Sequence, residues 1–422
     1  MLWRKARSWI AKLLFKLRNK LKVKLKVVTP LGWFVLASAI GAATLGFTQD
    51  WLEFRVLALV AALLLLLAIA WLLGSRAVAA QLLLDQQRVS AGQEGGGEVR
   101  LLGTGGVTAA RSALLELPVG EQLARFRVTG LRTDAAYVER FVVPTERRGV
   151  INIGPVRQVR TDPLGVLTRE RDITAGQELF VHPQVKVLGT DAVGYLRDVE
   201  GVTTAKLSSS DVTFHTLREY QPGDDRRAIH WRTTARTGKL MVRQFEETMR
   251  AHLLILLSTQ RADYADPEDF ELAVSAAGSL GVSAFGQERQ VSIWTSAGEL
   301  AFASAMTMLD ALSRVELSGS GYSVHLGPAD NSGHSGNAQM ALTDMAVSAS
   351  AAESGISVAA LVSGSVDMDA LRAASLAIPA GVRSFAVRCG AGLKLQRTTY
   401  GELAVLDLPR LDDLPAAMRS VQ

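Results

Sequence analysis

Residues 217–247 read LREYQPGDDRRAIHWRTTARTGKLMVRQFEE. Six arginines, one lysine and five carboxylates share this run with a histidine and a tryptophan. Gln221, Pro222, Gly223 and Asp224 have turn chemistry, because proline presets one dihedral and glycine supplies a positive one. Asp224 or Asp225 then caps a short helix through Ala228, Ile229 and Trp231, with the acids at its positive end. From Leu240 to Phe245 the residues alternate like a strand entering a new domain. Such a stretch is a connector, and the character of the chain differs on its two sides.

Its chemistry has three readings. Between positions 218 and 243 there are seven cations, Arg218, Arg226, Arg227, Arg232, Arg236, Lys239 and Arg243, against three acids, Glu219, Asp224 and Asp225. An excess of that kind can engage nucleic acid or anionic lipid. Charge-dense segments are more often ion-paired, and that reading puts the acids against the arginines at a domain junction, with Trp231 buried and His230 hydrogen-bonded. Asp224, Asp225 and His230 also invite general acid–base chemistry, as in a hydrolase, but no nucleophile or metal set accompanies them. No catalytic residues and no enzyme are expected. Gly238-Lys239 is not a phosphate loop, since Thr233 stands where glycine is needed and Leu240 where serine or threonine is needed.

Toward the N-terminus the chain turns apolar. Residues 31–48, LGWFVLASAIGAATLGFT, and 56–73, VLALVAALLLLLAIAWLL, carry no charge. Eighteen helical residues span about 27 Å, close to a bilayer's hydrocarbon core, so two membrane spans are expected over 31–73. The connector QDWLEFR forces a hairpin, and Trp33, Trp51 and Trp71 lie near the ends of the spans, where indoles favour the headgroup region. Residues 1–30 hold ten lysines and arginines and no acid. That bias places this basic segment, both termini and everything after the hairpin in the cytoplasm of a multi-pass protein of the cell membrane. A cleaved signal peptide would have a shorter apolar core and no second span.

The net charge of +5 belongs to that segment, because removing its +10 leaves −5 for the rest. A mildly acidic body weakens any global argument for nucleic acid, and none is expected as a partner. The single cysteine, Cys389, can form neither an intrachain disulfide nor a cysteine-based zinc site, so a reducing cytosol fits.

Between the hairpin and the charged stretch, residues 82–190 carry short apolar runs, among them SALLELPV, RFRVTGL, YVERFVVP, GVINIGPVRQVR and ELFVHPQVKVL. Turn formers at spacings of about a dozen residues separate them, which predicts an all-β, sandwich-like domain of about seven strands. The glycine-rich 92–106 reads as two flexible loops around a strand, and 161–165, TDPLG, as a turn. His182 before Pro183 ends a strand with no ligand-type residue near it in sequence. Residues 191–249 then form a linker that contains the charged stretch.

From 250 to 422 strands and helices alternate. Residues 251–257 suit a buried strand, and Asp266-Pro267-Glu268-Asp269 is a helix start. Strands over 290–294, 357–362, 384–388 and 403–406 interleave with helices over 305–315, 338–350 and 368–377, and 411–418 closes the chain. That order predicts a doubly wound, mostly parallel α/β domain. The polar loop 319–337 contains His325 and His334 without ligand spacing.

The run from Arg218 onward, together with RRGVINIGPVRQVRTDPLGV, VHPQV and the paired apolar runs, resembles the family called domain of unknown function 58. These are membrane-anchored proteins often encoded beside MoxR-type AAA+ ATPases. The resemblance marks Arg218, Glu219, Tyr220, Pro222, Gly223, Asp224, Asp225, Arg227, His230, Trp231 and Arg236 as family signature. It implies a von Willebrand factor A-like domain after the signature, and a MoxR-type ATPase and the lipid bilayer as partners. In that fold the first strand commonly ends in Asp-x-Ser-x-Ser, which supplies oxygen ligands to a divalent cation. Here Ser258, Gln260 and Ala262 stand at those places and Arg261 adds a positive charge, so neither a metal nor another cofactor is expected, although Asp263 and Asp266 follow closely. The resulting expectation is a membrane-anchored scaffold.

Overall fold

The computed structural model describes residues 27–73, 79–102, 113–128, 137–189, 207–208, 213–222, 224–246, 251–318 and 340–420. They fall into two compact units: one runs to residue 180 without 147–149, and the other takes 147–149 and the described residues from 181 on.

The first unit opens with two helices, α1 (Pro30–Thr48) and α2 (Leu52–Leu73). Thr29 caps α1 by accepting from the Gly32 amide, and Pro30 occupies the first turn, where its missing N–H costs nothing. Both helices are long and apolar enough to cross a membrane, and little of either is buried. The connector is shorter than the sequence suggests. α2 starts at Leu52, so Glu53 enters its first turn at the positive end of the helix dipole, and Arg55 pairs back to Asp50.

Ten strands follow: β1 (Ala79–Leu84), β2 (Arg88–Ser90), β3 (Gly95–Leu102), β4 (Ala113–Val119), β5 (Gln122–Val128), β6 (Tyr137–Val143), β7 (Gly149–Ile153), β8 (Arg157–Thr161), β9 (Thr168–Asp172) and β10 (Gln177–His182). β1, β3 and β6 make one antiparallel sheet, while β2-β10-β7-β4-β8-β9, with β5 on β4, make another. Leu115, Leu117 and Val119 alternate into the core while Leu114, Glu116 and Pro118 do not, the period of a half-buried strand. The count exceeds seven in part because Gly154, at φ 85°, and Pro155 split the run GVINIGPVRQVR into β7 and β8, and in part because β1, β2 and β9 lie outside the apolar runs. The glycines expected in a loop lie inside β3. A Cβ on Gly97 would sit 2.4 Å from the Leu83 carbonyl oxygen and one on Gly96 2.7 Å from that of Phe141, so the close approach of both neighbouring strands requires them.

In the second unit, β11 (Leu207–Ser208), β12 (Thr213–Glu219) and β13 (Met241–Glu246) form a small antiparallel sheet in the order β11-β13-β12. The rest of the unit is an α/β assembly. Its strands are β14 (His252–Leu257), β15 (Gln290–Thr295), β16 (Gly298–Glu299), β17 (Ile356–Ser363), β18 (Arg383–Cys389), β19 (Gln396–Tyr400) and β20 (Leu403–Leu408), in the order β16-β15-β14-β17-β18-β20-β19. The pairs among β15, β14, β17, β18 and β20 are parallel, and the edge strands β16 and β19, absent from the sequence reading, are antiparallel.

Five helices join α3 (Trp231–Thr237) in this unit: α4 (Pro267–Phe285), α5 (Ala305–Arg314), α6 (Leu342–Ala352), α7 (Met368–Leu376) and α8 (Leu414–Arg419). Every residue of β14 is buried, so its side chains feed two cores. Leu253, Ile255 and Leu257 join α4, α5 and α8, while Leu254 and Leu256 join α6 and α7. α4 starts where Asp266-Pro267 predicts, with the Asp266 amide donating to the Asp269 carboxylate at 3.2 Å. His182 is held within this unit by Asp310, 2.7 Å from its Nε2, a structural pairing that sequence spacing does not disclose. The loop 319–337, with His325 and His334, lies outside the described residues.

Candidate functional site

The charged stretch folds as a β-hairpin with a helical cap. β12 and β13 pair from Thr213↔Glu246 to Glu219↔Met241, and the Tyr220 amide donates to the Leu240 carbonyl at 2.8 Å, closing the neck of the insertion. The turn at Gln221 is held by Asp224, whose amide donates to the Gln221 carbonyl at 3.0 Å and whose carboxylate accepts from the Gln221 amide at 2.9 Å. Gly223 lies outside the described residues, and Pro222 is exposed.

Two helical pieces replace the single helix that the sequence suggests. Asp225 accepts from the Arg227 amide at 2.9 Å and caps a short 3₁₀ turn, Arg226–Ala228. The chain then extends, because Ile229 pairs with Val242 and both are buried, and the His230 amide donates to the Met241 carbonyl at 2.8 Å. A second helix, α3 (Trp231–Thr237), begins with His230 as its cap. Nδ1 of His230 accepts from the Thr233 amide at 3.3 Å and lies 2.7 Å from the Thr233 hydroxyl. α3 ends at Gly238, whose φ of 68° is the left-handed conformation of a helix C-terminus. On the inner side the Thr234 hydroxyl accepts from the Met241 amide at 3.1 Å, fixing the helix to β13.

That arrangement decides which residues face water. Thr233 and Thr234 are half-buried, while Trp231, Arg232, Ala235 and Arg236 are exposed at the spacing of one helix face. Trp231 is 66% exposed, which corrects the expectation of a buried indole. The physical reason is length: seven residues have one inner side, and the threonines occupy it.

The ion pairs are unevenly distributed. Arg218 grips Asp224 with both terminal nitrogens at 2.7 Å, and Lys239 pairs with Glu219. The guanidinium holds the Asp224 carboxyl below its ordinary range, with the Gln221 amide assisting. Arg226, Arg227, Arg232, Arg236 and Arg243 are exposed, and among the described residues none has a carboxylate partner. Mutual pairing of acids and arginines thus covers only part of the stretch. Asp224, Asp225 and His230, the candidate acid–base residues, each hold local backbone structure.

The carboxyl end of β14 is the other place singled out. The Ser258 hydroxyl donates to Asp263, and the Tyr264 hydroxyl donates to the Ser258 carbonyl at 2.6 Å. Tyr264 is buried, with its ring edge-on to Phe270, and burial pushes its hydroxyl well up. A Cβ on Gly364, just past β17, would lie 2.2 Å from the Asp263 carbonyl, so the turn Arg261–Asp263 sits directly on the end of that strand. Gln260 reaches away to the Met340 carbonyl at 3.0 Å, and Ala262 brings no ligand atom. These residues do not fit a divalent cation. Among the described residues no cluster of three acids, histidines or cysteines is placed to hold one.

The site and its setting define a class: an α/β unit carrying a cationic, tryptophan-bearing β-hairpin, in a chain with two apolar N-terminal helices. The model of the family described as protein of unknown function DUF58 matches residues 216–375, from the hairpin to the last turn of α7. The chain is also similar to the uncharacterized protein YeaD of Bacillus subtilis (strain 168), 25% identical over 194 residues, covering 39% of this chain and 46% of YeaD. The match therefore spans about half of that relative.

Proposed function

We propose that the protein is a membrane-anchored interaction protein, non-enzymatic, that docks a partner through the outer face of α3. The carrying observation is the exposed indole of Trp231 beside Arg232 and Arg236, with Arg226, Arg227 and Arg243 also exposed and without carboxylate partners among the described residues. Tryptophan and arginine are the residue types that dominate binding energy at protein interfaces, and here they share one exposed helix face. The cations select an acidic partner.

The family resemblance supplies the partner class, a MoxR-type AAA+ ATPase. It also reads the α/β unit as von Willebrand factor A-like, while the ten lysines and arginines of residues 1–30 support α1 and α2 spanning the cell membrane with both termini cytoplasmic. On this reading the protein is a scaffold that holds the ATPase at the membrane. The test is a titration of the full chain in nanodiscs with the purified MoxR-type ATPase of the same organism. Trp231→Ala should weaken binding at least tenfold with the fold unchanged, and equal binding by both proteins would reject the reading.

The five exposed arginines favour a second reading, binding of anionic lipid or nucleic acid. It predicts affinity that falls steeply with salt and little dependence on Trp231.

A further inference from the structure

The loop between β8 and β9 is tied to the base of the helical hairpin. Backbone bonds run from the Thr29 amide to the Val166 carbonyl at 3.1 Å and from the Thr168 amide to the Val27 carbonyl at 2.7 Å. The Thr29 hydroxyl lies 2.6 and 2.9 Å from the Gly165 and Val166 carbonyl oxygens, so the residue that caps α1 also binds the loop. Val166 and Leu167 are buried against Ala68 and Leu72 near the end of α2. One loop therefore touches the start of the first apolar helix and the end of the second. In a hairpin these lie at the same level, so the loop stands where both helices leave their apolar surroundings, whatever their tilt.

The loop is also preformed. Asp162 is buried and accepts from the Leu164 amide at 2.9 Å and the Leu167 amide at 2.5 Å, and Gly165, at φ 70°, completes the turn. This geometry leaves Pro163 and Leu164 pointing outward, with Leu164 49% exposed and no charged residue between 163 and 168. A lone exposed leucine is ordinary on a soluble surface. Leu31 and Phe34, in the first turn of α1 to which this loop is bonded through Thr29, are exposed as well, so apolar side chains face outward from both elements.

We infer that the loop of residues 161–168 is a membrane-contact element, with Pro163 and Leu164 seated in the interfacial layer of the bilayer beside the first turn of α1. The inference rests on the reading of α1 and α2 as membrane spans. It makes the hairpin an orienting device as well as a tether, since the loop fixes how the β sheets stand on the lipid surface.

The experiment places single bimane labels on the full chain in phosphatidylglycerol-containing nanodiscs at Leu164→Cys, Leu59→Cys in α2 and Glu121→Cys in the β4–β5 turn. The native Cys389 is fully buried and takes no label. The Leu164 label should be quenched by lipids carrying a shallow nitroxide and shielded from aqueous iodide, while the Glu121 label shows the reverse. Quenching of Leu59 by lipid with a Leu164 label open to iodide would overturn the inference and leave the spans standing. A Leu164 label shielded from both quenchers would point to a protein contact and also overturn it. A Leu59 label that lipid does not reach would remove the membrane reading itself, and the inference with it.

Discussion

Arg218 and Asp224 form a two-pronged ion pair, each terminal nitrogen 2.7 Å from its own carboxylate oxygen, across the neck of the helical cap. Because the pair lowers the Asp224 carboxyl below its ordinary 3.8, the carboxylate stabilises the folded turn at every pH above that value. The contribution is lost only as pH falls through the still lower folded-state value. Hydrogen exchange at the Gln221 amide, corrected for its intrinsic pH dependence, should therefore be flat from neutral pH to about 4 and accelerate below it. Asp224→Asn should raise the exchange at neutral pH, and no change in that variant would show that the pair does not hold the turn.

His230 acts through its ring nitrogen as a helix cap. His230→Ala should cost about 1 kcal/mol of local stability in α3, and His230→Asn, which restores an acceptor, should recover most of it. Amide exchange at Thr233 and Thr234 reads this directly. Failure of asparagine to rescue would mean that the imidazole does something other than accept from the backbone.

At the base of the apolar helical hairpin, a Cβ on Gly32 would sit 2.2 Å from the Val166 carbonyl oxygen, whereas one on Gly41 would meet nothing within 4 Å. Gly32→Ala should lower stability by about 1–3 kcal/mol, as overpacking does, and Gly41→Ala should leave it unchanged. Thermal unfolding in detergent distinguishes them, and equal midpoints would contradict the close docking of the loop.

Buried inside the second unit, Arg148 is 4% exposed, with Nε 2.7 Å from Glu271 and Nη1 2.7 Å from the carbonyls of Leu312 and Val315. Its guanidinium also lies over the Phe270 ring at 5.1 Å. Desolvation is the largest influence on both partners, moving Arg148 down and Glu271 up from its ordinary 4.5. A carboxyl raised on folding favours the folded state below its unfolded value, and that advantage is lost as pH rises through the folded one. Glu271→Gln should therefore flatten the pH dependence of stability just above 4.5, while Arg148→Met, which orphans two carbonyls, should cost about 3 kcal/mol or more. Chemical denaturation of the two variants across that range tests the order.

What the sequence disclosed was what neighbouring residues decide. The uncharged runs foretold two long apolar helices, Asp266-Pro267 the start of α4, and the alternation after Leu240 the strand β13. Contacts between distant residues were silent: nothing local pairs Thr29 with Val166, His182 with Asp310 or Arg148 with Glu271. The same limit explains the cap. Ile229 leaves the helix because Val242 lies across from it, and with the helix restarted at Trp231 the indole turns outward. The strands β16 and β19 were missed because edge strands need no buried face to mark them.

The central claim, that the Trp231 face is a docking surface for an acidic protein partner, is tested most directly by placing photoreactive benzoylphenylalanine at position 231 of the full chain in nanodiscs with the MoxR-type ATPase. Illumination should give a covalent product with the ATPase that disappears when Arg232 and Arg236 are replaced by Glu. Crosslinks to lipid alone, or an ATPase product indifferent to those replacements, would contradict the account.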